Sequence, residues 1–189
     1  KERKMYGSNV ESNSTGGVAP SVGIVENCEL VSVSLNMDKG GRLDFEFKQP
    51  NGATVKHAEF PANPDYGDVE KQATDVSRRV KHIATKFMPE TEFVINDVST
   101  FAEYANKVTA LMGQKFAGRK FRMLFIYKGK YVSLPKYPNF IEGMETAADK
   151  SNIYISDYNK KKLVKPEPDA APVTPETVMS TGNGAEMPF

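Results

Sequence analysis

Residues 42–60, RLDFEFKQPNGATVKHAEF, decide the fold. In RLDFEFK the apolar residues Leu43, Phe45 and Phe47 alternate with Arg42, Asp44, Glu46 and Lys48, the period-2 pattern of a strand with one buried and one wet face. Pro50, Asn51 and Gly52 follow as a hairpin signal, because Asn and Gly tolerate positive φ. ATVKHAEF then returns as the partner strand. Upstream, VGIVENCELVSVSLN from Val22 is rich in β-branched residues and predicts another long strand, turned into residue 42 through MDKGG. The three form an antiparallel meander.

Beyond Phe60 the period changes. Val69, Ala73, Val76, Val80, Ile83 and Phe87 recur at steps of three and four, which predicts a helix with one core-facing stripe. Asp68 is its expected N-cap, and the helix must stop before Pro89. A second helix is predicted from Phe101 to Met112, with capping-box spacing between Thr100 and Glu103 and Gly113 at its end. KFRMLFIY, a KG turn and KYVSLP then form a second hairpin. In it Phe121, Met123, Phe125 and Tyr127 alternate with Arg122, Leu124 and Ile126.

The order is thus three strands, a helical insertion and two strands. That is the order of a five-stranded antiparallel OB-fold-like barrel, mainly β, with helices between strands 3 and 4. The second helix is additional to that plan, and an SH3-like barrel or an α+β sandwich shares parts of it. Residues 1–21, rich in Ser, Asn and Gly, read as a flexible arm. Residues 22–159 form the folded unit, and 160–189, dominated by Pro, acids and small polar residues, read as a disordered tail.

The 189 residues carry a formal net charge of +1, which hides an asymmetry. Between Tyr104 and Ile141 there are Lys107, Lys115, Arg119, Lys120, Arg122, Lys128, Lys130 and Lys136 and no acid, whereas Glu167, Asp169, Glu176 and Glu186 follow Lys165 with no base. A basic body beside an acidic tail points to a polyanionic partner. Cys28 is the one cysteine, so no intrachain disulfide can form, and a small buried role suits it. No run reaches the length of a membrane span, and the expected location is the cytoplasm.

Catalytic chemistry is poorly represented. His57 and His82 fall on a strand and a helix, are read as having no H-x-E, H-E-x-x-H or C-x-x-C partner, and are each taken as a candidate surface residue rather than a ligand or catalyst. No phosphate-binding glycine loop is present. Asp44 and Glu46 are explained by strand alternation. A binding protein without cofactor or metal is expected, not an enzyme.

Binding chemistry is better represented. Single strands are held by cations that neutralise phosphates and by rings on which bases stack. KFAGRKFRMLFIYKGKYVSLPKYPNF, residues 115–140, interleaves both. The candidate rings are Tyr127, Tyr131, Tyr137 and Phe140, and the candidate phosphate partners are Arg122, Lys128, Lys130 and Lys136. Arg42, Lys48 and Lys56 on the first meander could extend the same groove, as could Arg78, Arg79 and Lys81 on the helix.

An OB-like body, a basic aromatic hairpin and a Pro-rich acidic tail ending in Met187, Pro188 and Phe189 together resemble single-stranded DNA-binding proteins. The segments GIVENCELVSVSL and YVSLPKYPNFIE are similar to phage-encoded members. The resemblance implies sequence-independent coating and protection of single-stranded DNA in replication or recombination, in the host cytoplasm, with oligomerisation possible. It also implies that Glu186, Met187, Pro188 and Phe189 form a tip that recruits replication and repair proteins, Phe189 filling a partner's pocket. The chain departs from bacterial members in having one acid near the tip and no tryptophan. The alternative is a phage virion or protein-interaction component whose basic face meets an acidic surface; an RNA-binding or recombination-mediator module is a third option.

Overall fold

The computed structural model describes residues 17–38, 41–113, 115–137 and 139–166. The expected arm up to residue 16, the tail from 167 and the tip residues Glu186, Met187, Pro188 and Phe189 lie outside the described residues.

Six strands form an antiparallel sheet: β1 (Gly23–Asn36), β2 (Arg42–Lys48), β3 (Thr54–Glu59), β4 (Lys120–Lys128), β5 (Tyr131–Ser133) and β6 (Ile141–Gly143). The path runs β3-β2-β1-β4-β5, with β6 also paired to β4. Helices α1 (Val69–Ala84) and α2 (Phe101–Met112) lie between β3 and β4, where the change of period places them, and the single turn α3 (Asp157–Lys160) follows β6.

The alternation in β2 is realised: Leu43, Phe45 and Phe47 are fully buried. β1 is long because it serves two partners. Its first part pairs with β4 and its second with β2, and the register with β4 shifts between Val25 and Cys28. Asn27 takes φ of 60° at that shift, a left-handed conformation that Asn tolerates better than most side chains. Cys28 beside it is buried, and burial pushes its thiol up to about 12.

Three expectations are corrected. β6 makes the strand count six, and among the described residues no backbone ladder joins β3 to β5, so the sheet is not closed into a barrel. β4 does not alternate: residues 121–126 are all buried, because β4 lies between other strands with both faces covered. The α1 stripe buries Val76, Val80 and Ile83, and Phe87 beyond the helix is buried too, but Val69 and Ala73 in the first turns are exposed.

Both helix starts follow the sequence. The Asp68 side chain accepts from Lys71 N–H, and Thr100 and Glu103 form both bonds of a capping box. Ser21 exchanges two hydrogen bonds with the Gln49 side chain, and Lys162 O accepts from Tyr127 N–H at 2.8 Å, with Leu163 packed against the core. No helix among the described residues is long and apolar enough to cross a membrane.

Candidate functional site

The two end strands of the path, β3 and β5, meet through side chains. His57 and Glu59 share one face of β3 because strand residues two apart point the same way. His57 Nε2 lies 2.9 Å from Glu59 Oε1, and its Nδ1 lies 3.2 Å from Ser133 Oγ on β5. Arg79 of α1 closes the network, donating from Nε and Nη2 to the two Glu59 oxygens at 2.6 Å each.

Burial alone would raise the Glu59 carboxyl, but hydrogen bonds from Arg79 and His57 outweigh it and hold it down at about 2. Burial also pushes His57 below its ordinary value, so the ring is neutral at pH 7. With Glu59 ionised, Nε2 is the donor and Nδ1 accepts the Ser133 hydroxyl proton. The sequence reading, which gave His57 no H-x-E partner and a possible surface place, is corrected: the ring is buried, and His57-Ala58-Glu59 is itself an H-x-E pattern. The missed signal was the His57-Ala58-Glu59 spacing, which puts base and acid side by side on one strand face. Ser133 and Arg79 could not be added from local pattern, since 76 residues separate His57 from Ser133.

A groove of about 740 Å³ opens over this seam. Arg42, Lys56, Lys128 and Lys130, nominated from three different strands and a turn, all line it, together with Tyr127 and Tyr131. Tyr131 is 67 % exposed, and Lys130 Nζ stands 5.3 Å from its ring centroid. Phe60 and Lys165, which the sequence reading left at a strand end and in the tail, line the groove as well. No acid among the described residues lines it.

The cations differ in availability. Arg42 Nε is 2.9 Å from Asp44, and Lys56 is 3.9 Å from Glu46. Lys128, Lys130 and Lys165 form no ion pair among the described residues. Lys128 keeps contact with solvent, yet nearby protein desolvates it enough to lower its amine below the ordinary lysine value. An ammonium stripped of part of its water has less to lose on meeting a phosphate.

Other nominated residues lie elsewhere. Lys48 is exposed at the far end of β2, opposite Glu29, away from the groove. Tyr137 is exposed beside Lys136 in a cleft against α1. Two nominations are overturned. Arg122 is 5 % exposed and already satisfied: Nε and Nη2 donate to Glu26, and Nη1 donates to Glu142 and to Thr146 O. Phe140 is fully buried, with its ring 5.1 Å from His82 in an edge-on contact, and offers no face to a base.

Among the described residues, no group of three or more His, Cys, Asp or Glu is placed to hold a metal ion. Comparison with known proteins returns no matching family model, curated protein or solved structure.

Proposed function

We propose that the protein binds single-stranded DNA without sequence preference and coats strands exposed during replication or recombination. The observation that carries this reading is the groove, free of acids among the described residues, in which Arg42, Lys56, Lys128 and Lys130 converge with Tyr127 and Tyr131. Cations can neutralise phosphates whatever the base, and a ring can stack on any base, so this pairing of groups favours affinity over sequence readout.

We read the sheet as an OB-like barrel left open at one seam. The path β3-β2-β1-β4-β5 runs as the strands of that fold run, and the His57–Ser133 contact stands where the last ladder would be. The groove over the seam then corresponds to the face on which such barrels take oligonucleotides.

Fluorescence anisotropy with labelled oligo-dT, the matching RNA and a matched duplex, across a salt series, tests the proposal. If the four cations each meet a phosphate, log K should fall with log salt at a slope of about −3 for a single strand. DNA single strand should be preferred over duplex at every salt concentration. Equal affinity for duplex, or no binding at low salt, would remove the reading and favour an acidic protein surface as the partner.

A further inference from the structure

The groove over the seam does not end there. A second cavity of about 840 Å³ lies on the other side of the β3 terminus, walled by α1, the loop leading into it and residues 158–162. The two concavities share Ala58, Phe60 and Lys128, so they are continuous, and Phe60 stands 56 % exposed at their junction. A narrow cleft bordered by Arg78 and Tyr137 continues from the second cavity, sharing Arg79 and Lys136 with it.

Resting on the proposed single-strand binding, we infer that the strand crosses the seam and that α1 and residues 157–162 supply the second half of its track. The chemistry repeats that of the first groove on elements unrelated to it in sequence. Tyr158 is 63 % exposed with Lys162 Nζ 4.2 Å from its ring centroid, and Tyr137 is 65 % exposed with Lys136 Nζ at 5.7 Å.

Charge along this extension favours an anion. The two acids that line it among the described residues are neutralised locally, Glu59 by Arg79 and Asp75 by Arg78 at 2.7 Å, and Asp157 at the start of the 157–162 segment is paired with Lys160. Lys128, Lys136 and Lys162 pair with no acid among the described residues, so they set the field. The track also has a fixed wall. Tyr127 N–H donates to Lys162 O, tying residues 157–162 to the end of β4. A segment held there orients Tyr158 and Lys162 over the seam before any ligand arrives, which lowers the ordering cost of binding. Exposed rings at successive points need unpaired bases to cover them, so the occupant is a single strand.

The test uses the full chain and dT oligonucleotides of increasing length, read by anisotropy and by the number of nucleotides occluded per protomer. Tyr158→Ala combined with Lys162→Gln removes surface groups of the far half, and Tyr131→Ala serves as the near-groove comparison. Wild-type affinity should rise with length until both halves are filled. The double variant should level off at a shorter length and occlude fewer nucleotides, losing about 5-fold to 150-fold on the longest strand, the share of one stacked base. Tyr131→Ala should weaken every length. A double variant whose length dependence and occluded length match wild type would overturn the extension and leave the near groove standing. A wild type that binds no single strand would overturn both.

Discussion

Arg122 and Lys128 stand six residues apart on the same strand, and the molecule treats them oppositely. The start of β4 is covered: β6 pairs with residues 121–123, Glu142 reaches Arg122 from that strand, and Glu26 reaches it from β1. The far end of β4 pairs with the three-residue β5, and β3 beyond it adds no ladder, so Tyr127 and Lys128 open into the groove. A cation and a ring close together in sequence are therefore no measure of a binding surface. What separates the two ends is whether another segment has already supplied the carboxylate and the apolar cover that a ligand would otherwise supply.

The largest effect expected to sharpen this contrast is on stability. Phe140→Ala should cost about 3 to 5 kcal/mol in chemical denaturation, the range for deleting a fully buried aromatic ring. Arg122→Ala should also lower the melting temperature, because Glu26 and Glu142 lose their common partner. Neither should change the affinity of the molecules that remain folded; an affinity loss at full stability would place the covered end in the binding surface.

Tyr131→Ala reverses that pattern. Its ring projects into solvent, so stability should move by less than about 0.5 kcal/mol. Single-strand affinity should fall by about 1 to 3 kcal/mol. Equal titration curves for variant and wild type would remove Tyr131 as a stacking platform.

Acid should weaken both ends of the comparison. Burial, then Lys86, lowers His82 to about 4 on the covered side, and burial lowers His57 at the seam. A depressed pKa means the unfolded chain binds protons first, so these contributions are complete above the ordinary 6.5 and are lost as pH falls through the folded values. Glu59 adds a later loss, between its ordinary 4.5 and about 2. Urea midpoints should therefore decline below pH 6.5, and His82→Gln should flatten the decline between 6.5 and 4. A stability profile level down to pH 4 would contradict the lowered values of the buried His57 and the half-buried His82.

The smallest effect belongs to a single lysine. Lys130→Gln should reduce the slope of log K against log salt by about 0.7, one phosphate on a single strand, while leaving the melting temperature in place. An unchanged slope would mean that Lys130 meets no phosphate.

Much of the architecture was legible before any coordinates. The β2 alternation, the Thr100–Glu103 capping box and the placement of both helices between the third and fourth strands follow from backbone periodicity and local hydrogen bonding, which involve neighbours a few residues apart. The candidate groove was half legible: Arg42, Lys56, Tyr127, Lys128, Lys130 and Tyr131 were nominated by residue type. Phe60 and Lys165 were not, because each lies where local pattern had ended.

The sequence by itself determined five of the six strands, both long helices, their order and the chemical supply of cations and rings. Only the tertiary structure decided which of these are spent inside the protein. Arg122 meets Glu26 across 96 residues and His57 meets Ser133 across 76, distances over which no periodicity carries information. Burial and pairing are set by such long-range contacts, so they sort Arg122 and Phe140 into the core and leave Lys128 and Tyr131 open to a ligand.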